Sequence, residues 1–598
     1  WSRAHRAAYM NGVGGVEGAA RGMHARRAAI AAALAVVPVL LFLNKALHID
    51  DPLFVWTAQH LLEDPVAFYG FDVNWYGVPE SMHAVNQNPP LFSYYLVLFG
   101  VLFGWREWGL HLAMMPLAAL TGAGAYLVAR RFCAHPLTAA ATAVLTPVFL
   151  VSATTLMCDV PMLALWLWAM HCWIVGRERR SAPWFLVSGL LVAACALTKY
   201  FGVSLIPLLL VYTLLRGRGA RIHAAWLILP VALLGLYEWG TARLYGRGLL
   251  WDAVSYASGF HESDGNYAAK ACTTLAFLGG CLVFPLLFSP WLWSRRTILG
   301  GIVFWAMLFA AFLWTPAGRH LQDIAGFAPS AGYFAQVSLW LVGGAATLLL
   351  LVPEGGMLRP RGTGVPPVED HEQDAHATCG TGVPPVEDGE RDARITRRAD
   401  RVVLVLWLVG TVFFAAFVNH YVNGRVILPA AVPAAILAAR RFEHARSMPA
   451  CFRLAPFVVS AVLGLMVAGA DYRLAENGRV AAHDTMDRAG DGHVWFVGHW
   501  GFQYYMERRG ARAVDLSRPN FKPGEVVVIP ENNTNLIRLG ADIIASTATL
   551  EYPAFPGCAT MHQASGAGFY SDVWGRLPFV FTAAPPERYV VVTVAPKP

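Results

Sequence analysis

Apolar runs of about 20 residues, each long enough to cross a bilayer as a helix, recur from near the start of the chain to roughly residue 470. They cover 28–47, 108–129, 137–156, 160–175, 183–199, 201–215, 222–240, 271–293, 298–315, 332–352, 402–419, 425–440 and 451–470, and they predict thirteen transmembrane helices. One further stretch, residues 89–104 (PPLFSYYLVLFGVLFG), is apolar but short for a crossing. Charge decides its placement. If it crosses, Arg130/Arg131, Arg177/Arg179/Arg180 and Arg216/Arg218/Arg221 lie opposite Arg26/Arg27. If it re-enters or rests in the interface, all of them join Arg295/Arg296 and Arg440/Arg441 on one side, which the positive-inside rule makes cytoplasmic.

The interfacial placement turns residues 48–107 into one long outer loop rich in acid: Asp50, Asp51, Glu63, Asp64, Asp72, Glu80 and Glu107 against Arg106. It also puts Asp159, Lys199, the loop 241–270 and residues 419–425 on that outer face. Between 354 and 401 the chain is polar and carries a direct repeat, GTGVPPVED at 362–370 and again at 380–388. Paired prolines, glycines and charges cannot bury a core, so a disordered cytoplasmic insertion is expected. After about Asp471 the pattern shortens to HVWFVG, EVVVIPE, DIIAS and ERYVVVTV with FQYYMERRG between, the mark of short strands and a helix.

The domain plan is therefore an N-terminal extension (1–27), a membrane domain (28–470) and a small C-terminal α/β domain (471–598) on the outer side. Residues 1–27 open on Trp1 and read as upstream sequence, with Met10 or Met23 the expected start. The fold class is an all-α polytopic membrane protein with an extracytoplasmic α/β tail.

Composition agrees. Of 598 residues 56% are hydrophobic and 14% charged, where soluble domains run about 45–50% and about 25%; mean hydropathy is +0.45. Disordered, collagenous and disulfide-scaffold classes are excluded. The net charge of +7 sits in short clusters between apolar runs, so no nucleic-acid partner is expected. The nine cysteines form no CxxC pair and suggest neither a metal site nor a disulfide framework. A Walker loop, an HExxH helix and a strand-borne G-x-G-x-x-G are all missing from the sequence.

Candidate chemistry begins where the first run ends, in HIDDPLFVWTAQHLLEDP. A carboxylate at a membrane exit can take a proton from an acceptor hydroxyl or amine, or bind a divalent cation. Asp50 and Asp51 also suit an acidic helix start, with Pro52 in the first turn. Asp159, followed by Val160 and Pro161, equally suits an N-cap, Lys199 a snorkelling side chain and Arg425 a helix-end anchor. His261 and Glu262 are open to metal ligation, acceptor contact or plain solvation. Trp75, Tyr76, Tyr94 and Tyr95 fit an interfacial belt, a lipid groove or a sugar platform.

Five motifs occur in order: the acidic pair, QNPPLFSYYL (87–96), MCDVPMLALW (157–166), ALTKYFGVSLIPLLL (196–210) and GRVILPAAVPAAIL (424–437). Together they resemble the GT-C polytopic glycosyltransferases, namely bacterial relatives of dolichyl-phosphate-mannose protein mannosyltransferases and of lipid A aminoarabinose transferases. The resemblance implies an inverting transfer of one sugar from a polyprenyl-phosphate carrier to a lipid, glycan or protein acceptor, at the outer face of the inner (cytoplasmic) membrane. By it, Asp50 is the leading base with Asp51 beside it, Asp159 is a second catalytic carboxylate, and Lys199 and Arg425 hold the lipid phosphate. Asn88, Tyr94, Tyr95, His261 and Glu262 would line the substrate groove. No cofactor is certain, and a divalent cation stays open. Two departures stand out: the aminoarabinose transferases carry Glu-Lys where this chain has Gln87 and Asn88, and Asp-Glu is usual where it has Asp50-Asp51. The competing classes are a secondary transporter or flippase, with Asp50, Asp159 and Lys199 near the midplane, and a non-catalytic membrane scaffold.

Overall fold

The computed structural model describes residues 3–217, 219–259, 266–316, 329–353, 386–443, 450–490 and 493–596. It is a bundle of apolar helices with a small sheet domain packed against one end. Each of the thirteen apolar runs contains helix. Among the described residues eight helices are long and apolar enough to cross a membrane, and Pro136–Val144 with Pro147–Ala153, bent by 63°, makes nine if the pair is counted as one broken span. Ala182–Thr198 and Tyr200–Leu215 are shorter apolar helices.

Besides that bent pair, the runs 271–293 and 425–440 are also interrupted. The run 271–293 breaks after Tyr267–Leu282 at Val283, which takes a left-handed φ of 46°, and resumes as Phe284–Leu287 and Ser289–Leu292. Pro285 and Pro290, which lack an N–H, start these short turns instead of extending the first helix. The run 425–440 is Gly424–Ile427, a 3-10 turn and Ala431–Phe442.

The short stretch Leu91–Phe103 is a helix of 13 residues. At about 1.5 Å per residue it reaches about 20 Å, less than the hydrocarbon thickness of about 30 Å. It stops at Gly104 and Trp105, both at positive φ (67° and 60°), and the next long helix starts at Glu107. A Cβ on Gly100 would sit 2.5 Å from the Trp105 ring, so the missing side chain lets the chain fold back on itself.

Three expected boundaries move. The helix Val386–Phe413 begins inside the stretch read as insertion, because GERDARITRRADR has no proline and continues directly into the apolar run. The first copy of the repeat and most of the second, through residue 385, lie outside the described residues. The first helix starts at Arg3 and runs through the stretch read as an extension, with Pro38 near its end at Leu40. The compositional change at Asp471 falls within Ala450–Ala489, a helix of 40 residues that carries the last apolar run straight into the tail domain.

Residues 48–107 contain the helix Asp51–His60 and a small hairpin, β1 (Asp72–Asn74) and β2 (Pro79–Ser81). The tail builds a five-stranded sheet from β3 (Val494–Phe496), β4 (Arg512–Ala513), β5 (Val526–Pro530), β6 (Ile544–Tyr552) and β9 (Glu587–Val594), in the order β4-β3-β5-β9-β6. β3 runs parallel to β4 and β5, while β9 runs antiparallel to β5 and β6. The parallel β3–β4 step is made through the helix Trp500–Arg508, the crossover that parallel strands require. Between β6 and β9, β7 (Met561–His562) and β8 (Ala567–Gly568) form a small separate hairpin.

The tail and residues 48–107 lock together through one backbone bond and two side-chain-to-backbone bonds. Leu516 N donates to Gly77 O (2.7 Å), Asn74 Nδ2 to Val514 O (3.0 Å) and Gln503 Nε2 to Asn74 O (3.0 Å). Gly501 lies so close to the end of the first membrane segment that a Cβ there would be 1.8 Å from Leu47 O.

Candidate active site

Where the chain leaves the first helix it makes a tight turn. Asp51 N donates to His48 O (3.0 Å), and His48 N donates to Asp51 Oδ2 (2.9 Å). Within the turn Ile49 takes a φ of 47°, a left-handed conformation that costs an L-residue roughly 1–2 kcal/mol and is rare for a β-branched one. The turn sends the two adjacent carboxylates to different partners. Asp51 is fully buried, and its Oδ1 accepts from Leu156 N (2.9 Å). Burial pushes its carboxyl up to about 7, against the opposing pull of Lys45 and of its two N–H donors. Asp50 keeps 28% of its side chain exposed and accepts from Arg425 Nη2 at 3.0 Å.

Asp159 opens the helix Asp159–Arg179, and Lys199 follows the last residue of Ala182–Thr198 in extended backbone. These two ends meet: Lys199 Nζ donates to Asp159 Oδ1. Arg425 belongs to Gly424–Ile427, whose first turn is capped by Asn423 Oδ1 accepting from Val426 N (3.0 Å). Its Nη1 reaches Met157 Sδ at 2.7 Å and stands 3.8 Å from Asp159 Oδ2. Asp159 thus lies between the two cations, with only 1% of its side chain exposed, against 18% for Lys199 and 14% for Arg425. Two carboxylates and two cations from four separate elements form one neutral cluster. All four sit at helix ends or caps, not at the mid-span positions a transporter reading needs.

Beneath this cluster lies a second one that the sequence reading missed. Lys45 Nζ and Asp471 Oδ2 pair at 2.5 Å, both side chains fully buried. Tyr570 OH donates to the same Asp471 oxygen (2.7 Å), and His48 Nε2 stands 3.5 Å from the other. The guanidinium of Arg425 lies over the Tyr570 ring, 5.5 Å from its centre. A signal for part of this existed: Lys45 lies within one apolar run and Asp471 borders another, where ionisable residues are rare. Nothing local marks Tyr570, which arrives from the tail.

The remaining predicted residues divide. Asn88 belongs near the cluster, since Cys158 Sγ donates to its Oδ1 (3.4 Å) and Tyr69 OH to its carbonyl (2.5 Å). Tyr94 and Tyr95 are engaged elsewhere, their hydroxyls donating to Pro65 O (2.5 Å) and Ala113 O (2.8 Å). His261 and Glu262 lie outside the described residues. Among the described residues no group of three or more His, Cys, Asp or Glu side chains is arranged to hold a metal ion. Both Asp51 oxygens accept backbone N–H groups and the side chain is fully buried, so it does not share the open surroundings of Asp50.

Residues 87–238 match the family model described as dolichyl-phosphate-mannose-protein mannosyltransferase. The GT-C resemblance is borne out. The matched stretch includes Asn88, Asp159 and Lys199; Asp50 and Arg425 lie outside it. No curated protein matches the sequence. Among solved structures, the Archaeoglobus fulgidus oligosaccharyltransferase in the apo form is similar with a TM-score of 0.43 and 12% identity over 82% of this chain. The chain spans 64% of that protein's length. ArnT from Cupriavidus metallidurans in the apo state gives a TM-score of 0.38 and 15% identity, covering 97% of this chain and 100% of ArnT. The arabinofuranosyltransferase AftD from Mycobacteria gives 0.31 and 12%, covering 95% of this chain and 40% of AftD.

Proposed function

We propose that this chain is an inverting glycosyltransferase that moves one sugar from a polyprenyl-phosphate carrier to a lipid, glycan or protein acceptor at the outer face of the cytoplasmic membrane. The supporting observation is the convergence of Asp50, Asp159, Lys199 and Arg425, distant in sequence, on one partly open cluster at helix ends. The acceptor oxygen or nitrogen attacks the anomeric carbon, the bond from that carbon to the phosphate oxygen breaks, and the acceptor proton passes to Asp50. The departing phosphate takes the electron pair and is met by Lys199 and Arg425, which stabilise it without needing a proton.

Exposure divides the roles. Asp50, the most open carboxylate of the cluster, is the base; Asp159, closed off between the cations, and Asp51, closed off in the turn, are positioning residues. In an inverting transfer the base and the leaving group stand on opposite faces of the sugar. The 3.0 Å bond between Asp50 and Arg425 therefore belongs to the resting protein, and donor phosphate displaces Asp50 from Arg425 as it binds. Asn88 stands where a lysine is expected by resemblance, which leaves Lys199 and Arg425 as the phosphate cations of this site. The outer loop 48–107 and the tail then both face the extracytoplasmic side.

A single-turnover assay with a polyprenyl-phosphate sugar tests the reading. Asp50→Asn should lower transfer by about 100-fold or more while carrier binding persists, and Lys199→Ala and Arg425→Ala should weaken carrier binding. A stably folded Asp50→Asn protein with the wild-type rate would end the proposed role.

A further inference from the structure

One short segment of the tail is strapped to the residues that lead into Arg425. Phe569 O accepts from Gly424 N (2.7 Å), Asp572 N donates to Val422 O (2.9 Å), and Asp572 Oδ1 accepts from Val422 N (3.0 Å). Three bonds thus strap residues 422–424, which lead directly into Arg425, to residues 569–572 of the tail. A Cβ on Gly424 would meet the Phe569 ring at 2.7 Å, so the contact is as close as a glycine allows. Asp572 is itself held by Arg576 Nη1 (2.9 Å). Between the two strapped residues, Tyr570 is 4% exposed and faces two ways. Its ring lies beneath the Arg425 guanidinium, and its hydroxyl is fixed on Asp471, which is anchored by Lys45.

We propose that Tyr570 is a positioning residue that fixes the Arg425 guanidinium for the carrier phosphate, which makes the tail domain a working part of the site. The inference rests on the reading of Arg425 as a phosphate ligand. A planar guanidinium on a long flexible side chain has many rotamers. An aromatic face below it, a carboxylate beside it and a strapped backbone leave few of them, so less freedom is lost when an anion binds.

The test uses the full chain in nanodiscs, with undecaprenyl phosphate as the probe and binding affinity and thermal unfolding as paired readouts. Arg425→Ala, Tyr570→Leu and Tyr570→Phe are compared with wild type. Tyr570→Leu should weaken probe binding by about tenfold, and Tyr570→Phe, which keeps the ring and loses the hydroxyl, should recover most of that loss. A merely structural role would instead lower unfolding temperature in both and leave affinity alone. Wild-type affinity in Tyr570→Leu beside weakened binding in Arg425→Ala overturns the inference and leaves the proposed function standing. Wild-type affinity in Arg425→Ala overturns the phosphate role itself. Equal losses in the Leu and Phe variants remove the ring from the account. Where Tyr570→Leu does not fold, Asp572→Ala loosens the strap without touching the ring: weaker binding supports the inference, and unchanged binding overturns it.

Discussion

Asp50 and Asp51 are neighbours in the chain and are bonded in different surroundings. Asp50 accepts from Arg425 at a partly open surface, and Asp51 is fully buried with both oxygens on backbone N–H groups of His48 and Leu156. The tight turn at His48 to Asp51, with Ile49 at positive φ, separates them. This separation predicts that the same substitution does different things at the two positions.

Asp51→Asn replaces one acceptor oxygen with an NH2 that must face a buried N–H donor. A buried donor left without its acceptor costs about 1–3 kcal/mol. The variant should unfold at lower temperature than wild type, while Asp50→Asn should unfold near the wild-type temperature. Differential scanning of both in detergent checks this, and equal unfolding temperatures would refute the division of roles.

Asp159 separates Lys199 from Arg425 in a closed setting, whereas Asp50 is an open partner of Arg425. Removing one partner of a buried pair typically costs about 3–5 kcal/mol, and a partly exposed pair contributes about 0–1 kcal/mol. Asp159→Ala should therefore be much less stable than Asp50→Ala. The reverse order in chemical or thermal unfolding would show that Asp159 is not the tether of the cations.

Gly501, the second residue of the tail helix Trp500–Arg508, packs against the backbone of Leu47. In Gly501→Ala the new methyl meets a carbonyl, which has no rotamer by which to give way, and overpacking of this kind costs about 1–3 kcal/mol. The expected result is a tail that is cut earlier in limited proteolysis, with the membrane helices retained. Proteolysis at the wild-type rate would count against tight docking of the tail on the end of the first membrane segment.

Glu587, at the start of β9, is buried, and burial pushes its carboxyl up to about 8, with the Asn532 amide pulling the other way (2.9 and 3.1 Å to its two oxygens). Its folded value lies above the ordinary 4.5, so the stability it contributes is fully present below about 4.5 and is lost as pH rises through about 8. In the steep part of that window the loss approaches about 1.4 kcal/mol per pH unit. Glu587→Gln keeps the shape and cannot ionise, so its unfolding temperature should fall less than wild type between pH 5 and 8, on the order of that window. Parallel profiles for the two proteins would sink this assignment.

Periodicity and run length were enough to find the membrane helices, since a bilayer imposes length and apolarity on every spanning segment independently of its neighbours. The same local logic found β3, β5, β9, the start of β6 and the helix Trp500–Arg508, and passed over β4, β7, β8 and most of β6. It misplaced the ends of the insertion and of the last span, where Val386–Phe413 and Ala450–Ala489 carry polar sequence in continuous helix. Composition registers solvent exposure there, while backbone hydrogen bonding continues through it.

The sequence by itself determined which residues carry charge at span ends: Asp50, Asp159, Lys199 and Arg425 are legible because they stand in or against apolar runs, and charge within a bilayer is expensive and therefore sparse. Only the tertiary structure decided how they pair, which carboxylate is open and which closed, and that Lys45, Asp471 and Tyr570 underlie them. The reason is physical. Pairing and burial depend on distances between segments hundreds of residues apart, such as Asp50 with Arg425 and Lys45 with Asp471, and no local pattern of the chain encodes those distances.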